Sequence, residues 1–105
     1  MAYFHIDRFL ETCVRINAGD LYLTPGRPPE LWIDGRLRAL ETRAPNAADT
    51  DRIARELTPE ANWAEFSGTG GTEFDLSYTV RSHRFRVTVS REHGEVALVF
   101  RRVRS

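Results

Sequence analysis

From Arg84 to Ser90 the chain alternates without a break: Phe85, Val87 and Val89 point one way, Arg84, Arg86 and Thr88 the other. Successive side chains leave opposite sides of a pleated strand, so this period of two predicts a strand with one buried face. Glu92-His93-Gly94 predicts a turn, and Val96, Leu98 and Phe100 carry a return strand, Glu95 to Val103, in which Arg101-Arg102 lie near the end. Upstream, Phe74, Leu76, Tyr78 and Val80 alternate in a third strand that turns at Arg81-Ser82-His83. Three antiparallel strands are therefore expected in the last third of the chain, with arginines held on a rigid sheet.

The first two thirds begin with a different period. Ile6, Phe9, Leu10, Cys13 and Val14 recur at helical spacing, one face of a helix of about four turns. Asp7 and Arg15 match the two ends of its dipole, and Gly19 is the expected left-handed stop. Leu21 and Leu23 alternate in a short strand that Pro25-Gly26-Arg27-Pro28-Pro29 interrupts. Leu31 and Ile33 resume the alternation, and Asp34-Gly35 signals a tight hairpin before Leu37 and Leu40. Trp32 faces away from Leu31 and Ile33, either as a contact surface or packed under a neighbouring element. Ala47 to Leu57 reads as a helix capped by Asn46, and Thr58-Pro59 as the cap and first position of a short helix carrying Trp63 and Phe66. Ser67-Gly68-Thr69-Gly70-Gly71-Thr72 is expected to be a flexible connector, because no Lys-Ser/Thr follows it and no strand precedes it, as a phosphate loop requires. This order predicts an α+β, PAS-like sandwich in which helices cover one antiparallel sheet.

At 105 residues the chain is one domain, and 41% hydrophobic with 29% charged residues fits a globular protein with a core. No run reaches the roughly 18 apolar residues of a membrane span, and the N-terminus lacks the basic and apolar regions of a signal peptide. A single cysteine, Cys13, falls on the apolar helix face; it reads as a buried small hydrophobe and fits a reducing cytoplasm. Net charge is zero but unevenly spread. Residues 1–80 carry eight arginines against thirteen carboxylates, residues 81–105 seven arginines against Glu92 and Glu95, and lysine is absent. Guanidinium forks hold phosphate or carboxylate in defined geometry, so the clustering points to an anionic partner. Self-contained catalysis finds no support: His5, His83 and His93 are scattered, and no serine or cysteine sits in a nucleophile elbow. Asp49 and Asp51 compensate a helix start, and Asp75 has no evident partner. An RNA-binding sheet would need aromatics stacked among the arginines, which this face lacks, so no nucleic acid is expected.

Two stretches carry a family resemblance. Ala18-Gly19-Asp20-Leu21-Tyr22-Leu23-Thr24-Pro25-Gly26-Arg27-Pro28-Pro29, followed by Ile33-Asp34-Gly35-Arg36-Leu37, resembles the first phrase of the N-terminal PAS-like domain of the type II/IV secretion ATPases. Phe74-Asp75-Leu76-Ser77-Tyr78 and Arg84-Phe85-Arg86-Val87 resemble the second. From about Ile6 to Val103 the chain is most similar to the twitching-motility pilus retraction (PilT) family. The resemblance implies a cytoplasmic homohexameric motor, peripheral to the inner membrane and working with the pilus machinery. In it, Arg86 and Arg101 would reach the ATP and Mg site of a C-terminal ATPase domain. Trp32, Arg84, Arg91 and Arg102 are candidate interface residues. Gly19, Tyr22, Trp32, Thr88 and Ser90 depart from the family's usual Ser, His, Arg, Asn and Phe. Ser105 falls where the family linker begins, so the Walker motifs lie outside this chain and it is not expected to hydrolyse ATP alone. The alternative is a stand-alone PAS-like module that binds a protein or small ligand.

Overall fold

The computed structural model describes residues 4–69 and 72–104, the side chains of residues 68 and 69 excepted. In chain order the elements are α1 (Ile6–Arg15), β1 (Asp20–Leu23), β2 (Glu30–Ile33), β3 (Arg36–Ala39), α2 (Ala47–Leu57), α3 (Glu60–Thr69), β4 (Glu73–Val80), β5 (His83–Glu92) and β6 (Glu95–Arg102). The strands form one antiparallel sheet in the order β3-β2-β1-β6-β5-β4. Two meanders, β1–β3 and β4–β6, are joined where the first strand of one pairs with the last of the other, Leu21 opposite Phe100 and Leu23 opposite Leu98.

Three tight turns fix the register. Asp34-Gly35, Arg81-Ser82 and His93-Gly94 each place two successive residues at positive φ (49° and 75°, 47° and 69°, 52° and 79°). That is the twist of the two-residue turn that matches right-handed strands. Period-two alternation then sends one set of side chains inward. Leu21, Leu23, Leu31, Phe85, Val87, Val89, Leu98 and Phe100 are buried against Leu10 and Cys13 of α1 and Ile53 and Ala54 of α2. The opposite face, which includes Asp75, Ser77, Arg84, Arg86 and Arg101, stays exposed.

Local signals place most ends. Asn46 caps α2 in a reciprocal box: its Oδ1 accepts from the Asp49 N–H at 2.8 Å, and Asp49 Oδ2 accepts from the Asn46 N–H at 2.9 Å. Other expectations are corrected. Helix α1 has ten residues, short of four turns, and its left-handed terminator is Asn17 (φ 58°), not Gly19. The Ala18 N–H reaches Cys13 O at 2.8 Å and the Asn17 N–H reaches Val14 O at 3.1 Å, the paired bonds of a Schellman end. Gly19 instead continues the ladder, its N–H donating to Trp32 O and its carbonyl accepting from Arg102 N–H. Thr58 terminates α2, with Oγ1 bonded to Ala54 O at 2.6 Å, and does not cap α3. The Pro59 carbonyl accepts the first α3 bond, from Trp63 N–H, so proline precedes the helix. Ser67 to Thr69 of the expected connector belong to α3, while Gly70 and Gly71 lie outside the described residues, as do Met1 to Tyr3 and Ser105.

Candidate functional site

Arg86 and Arg101 are direct cross-strand partners on the uncovered face of the sheet. Such pairs stand about 4.5–5.5 Å apart at Cβ, and like charges so placed repel. Carboxylates bracket them. Asp20 stands opposite Arg101 on β1, and Asp75 of β4 accepts from Arg86 Nη2 at 3.1 Å and from Thr88 Oγ1 at 2.8 Å. The Thr88 hydroxyl, then the Arg86 guanidinium, hold the Asp75 carboxyl below the usual carboxylate range. Asp20 is itself engaged: Tyr22 Oη donates to its Oδ2 at 3.1 Å, and partial burial and that bond raise the Tyr22 phenol. Arg101 makes no side-chain hydrogen bond or ion pair among the described residues. One guanidinium is thus paired and its neighbour is available.

Asp75 is the residue that sequence reasoning missed. Its partners lie eleven and thirteen positions away, and only the pairing of β4 with β5, Asp75 opposite Thr88 and Ser77 opposite Arg86, brings them together. A carboxylate in phase with the arginines across a predicted two-residue turn was the available signal. A second correction concerns aromatics. Tyr22 lies in the cross-strand row Asp75–Thr88–Val99–Tyr22, so the arginine face does carry a ring.

The remaining candidates divide between the two faces. Arg84 shares the open face with Arg86, opposite Thr79. Trp32 is 44% exposed on that face and pairs across the β2–β3 hairpin with Leu37, 47% exposed. Arg91 and Arg102 are in phase with the buried residues and do not join the group. Arg91 lies on the helix side, its guanidinium 4.5 Å from the centre of the Phe66 ring. Arg102 turns toward the end of α1, where Nη1 donates to Asn17 Oδ1 at 3.2 Å. Arginines that look like one patch in sequence are therefore spread over both faces.

Among the described residues nothing buried adds further chemistry. Burial pushes the Cys13 thiol up to about 12, which makes it an inert core residue. Tyr78 is likewise raised to about 12, first by burial and then by its 2.6 Å bond to Asp7, which ties β4 to α1. Among the described residues no three His, Cys, Asp or Glu side chains gather to hold a metal, and no helix is long and apolar enough to cross a membrane.

Solved structures match over nearly the whole chain. The pilus retraction motor PilT with bound ADP is 28% identical, with a TM-score of 0.84 over 97% of this chain and 30% of that one. The ATPase DotB of Legionella pneumophila is 23% identical (TM-score 0.77, 95% and 28% covered), and that of Yersinia pseudotuberculosis 19% identical (TM-score 0.75, 98% and 31%). These last two show a shared fold. No protein-family model matches the sequence, and no curated protein does. The chain spans about 30% of the length of the solved motors, corresponding to their N-terminal part.

Proposed function

We propose that this chain, which has the fold of the N-terminal domain of PilT-like pilus retraction and secretion ATPases, serves as that domain in a hexameric motor and presents Arg86 and Arg101 to bound ATP. The supporting observation is the pairing of these two arginines on one uncovered sheet face, within a fold that matches a pilus retraction motor over 97% of its length. Two forks on adjacent rigid strands suit neighbouring oxygens of a triphosphate, each charge-assisted bond contributing roughly 1.5–3 kcal/mol. Arginines placed on a transferring phosphoryl group contribute on the order of 10³–10⁵ in rate.

The residues present fit a phosphate group and not its metal. Arg101 offers its donors without breaking a contact, while Arg86 must exchange Asp75 for phosphate. Asp75, occupied by Thr88 and Arg86, is no ligand for magnesium, and no other acidic cluster stands in among the described residues. Magnesium would be held by the ATPase domain, where it supplies charge neutralisation between phosphates. This domain would move with the nucleotide its arginines hold, a cytoplasmic arrangement at the inner face of the pilus machinery.

In the full motor, Arg101→Ala and Arg86→Ala are each expected to lower ATP turnover by about two orders of magnitude or more while hexamers persist on gel filtration. Unchanged turnover would refute the assignment. Asp75→Ala removes the acceptor that holds Arg86, and is expected to tighten nucleotide binding rather than weaken it.

A further inference from the structure

Where β5 begins and β6 ends, next to Arg86 and Arg101, a cleft of about 600 Å³ is lined by Ser82, His83, Arg84, Arg102, Val103 and Arg104. Three arginines line it and, among the described residues, no Asp or Glu does. None of the three has an ion pair among the described residues. Arg102 and Arg104 are drawn together by a single neutral atom: Asn17 Oδ1 accepts from Arg102 Nη1 at 3.2 Å and from Arg104 Nη1 at 2.9 Å. Asn17 is itself fixed, in left-handed conformation, by the Schellman end of α1. Each arginine gives one donor to that oxygen, and a guanidinium has five.

The simplest account is compensation of the α1 dipole, whose C-terminal end carries about half a negative charge. Arg15 already lies in the last turn of α1, and Arg102 and Arg104 bring more positive charge than the half charge requires. Like charges held this close without a counter-charge repel. A multiply charged anion removes the repulsion and takes up the spare donors. We infer that this cleft is a second anion site, one that takes a phosphate-type oxyanion through Arg102 and Arg104, with Asn17 as the residue that positions both. A phosphate dianion matches two cations better than a lone carboxylate does. The site lies at the same end of the strands as Arg86 and Arg101 but differs from that pair in residues and in face, Arg102 and Arg104 turning to the end of α1.

The test is a titration of the isotopically labelled chain with inorganic phosphate and then pyrophosphate at constant ionic strength, following backbone amide and arginine Nε–H resonances. Saturable shifts concentrated at residues 82–84 and 102–104 are expected, with pyrophosphate the tighter. Arg102→Gln and Arg104→Gln should each weaken binding roughly tenfold, the loss of one charge-assisted bond, with amide spectra showing an intact fold. Arg86→Gln should bind as before. ATP in place of pyrophosphate separates the sources: equal affinity assigns the site to a free oxyanion, tighter binding at the same resonances to a nucleotide phosphate. Shifts that chloride reproduces, or that centre on Arg86 and Arg101 and vanish in Arg86→Gln, would overturn the inference.

Discussion

Asp75 sits between a hydroxyl and a guanidinium, and that environment sets its titration. With its folded-state pKa lowered by Thr88 and then Arg86, the contact contributes stability above the unfolded value of about 3.9 and loses it as pH falls through the lower folded value. The carboxyl carbon should therefore titrate with a midpoint below that of an ordinary aspartate, and Thr88→Val and Arg86→Ala should each move it up. A midpoint at or above the ordinary value would show that the latch does not form in solution. The same residue marks a limit of reading along a chain. Asp75, Arg86 and Thr88 were each visible, and Arg86 was singled out, but no local rule joins positions eleven apart until two strands are laid side by side.

Several elements are held by their own ends. Helix α2 has a complete capping box, with Asp49 also bonded to Arg43 Nη1 at 2.9 Å. Asn46→Ala is expected to cost about 1 kcal/mol, read as a lower denaturation midpoint with unchanged slope. No measurable change would mean that the Arg43–Asp49 contact alone fixes the helix start. Caps and hairpins of this kind were legible because they are short-range chemistry: Asn46 three residues before Asp49, and Asp34-Gly35 between alternating strands. The end of α1 was not, since Asn17 and Gly19 can both adopt positive φ. The choice went to Asn17 because Gly19 is needed in the ladder beside Trp32.

For the molecule as a whole, stability rests on the seam between the two meanders. Phe100 is fully buried there, between Leu21 of β1 and Val87 of β5. Phe100→Ala should cost roughly 3–5 kcal/mol, a large share of the 5–15 kcal/mol typical of a domain. A change below about 1 kcal/mol in chemical denaturation would show that the halves do not depend on the seam. Alternation and helical spacing by themselves determined the order of helices and strands, the buried faces and the α+β class, because the periods 2 and 3.6 are properties of local backbone geometry. The likeness to the secretion ATPase domain was also legible, in the two phrases around Asp20 and Arg86. What only the tertiary structure decided is which charges meet. Antiparallel pairing set Arg86 beside Arg101 and under Asp75, turned Arg91 onto Phe66, and brought Arg102 and Arg104 to Asn17. Those partners lie on different strands and at the end of a helix, and distance along the chain carries no record of them.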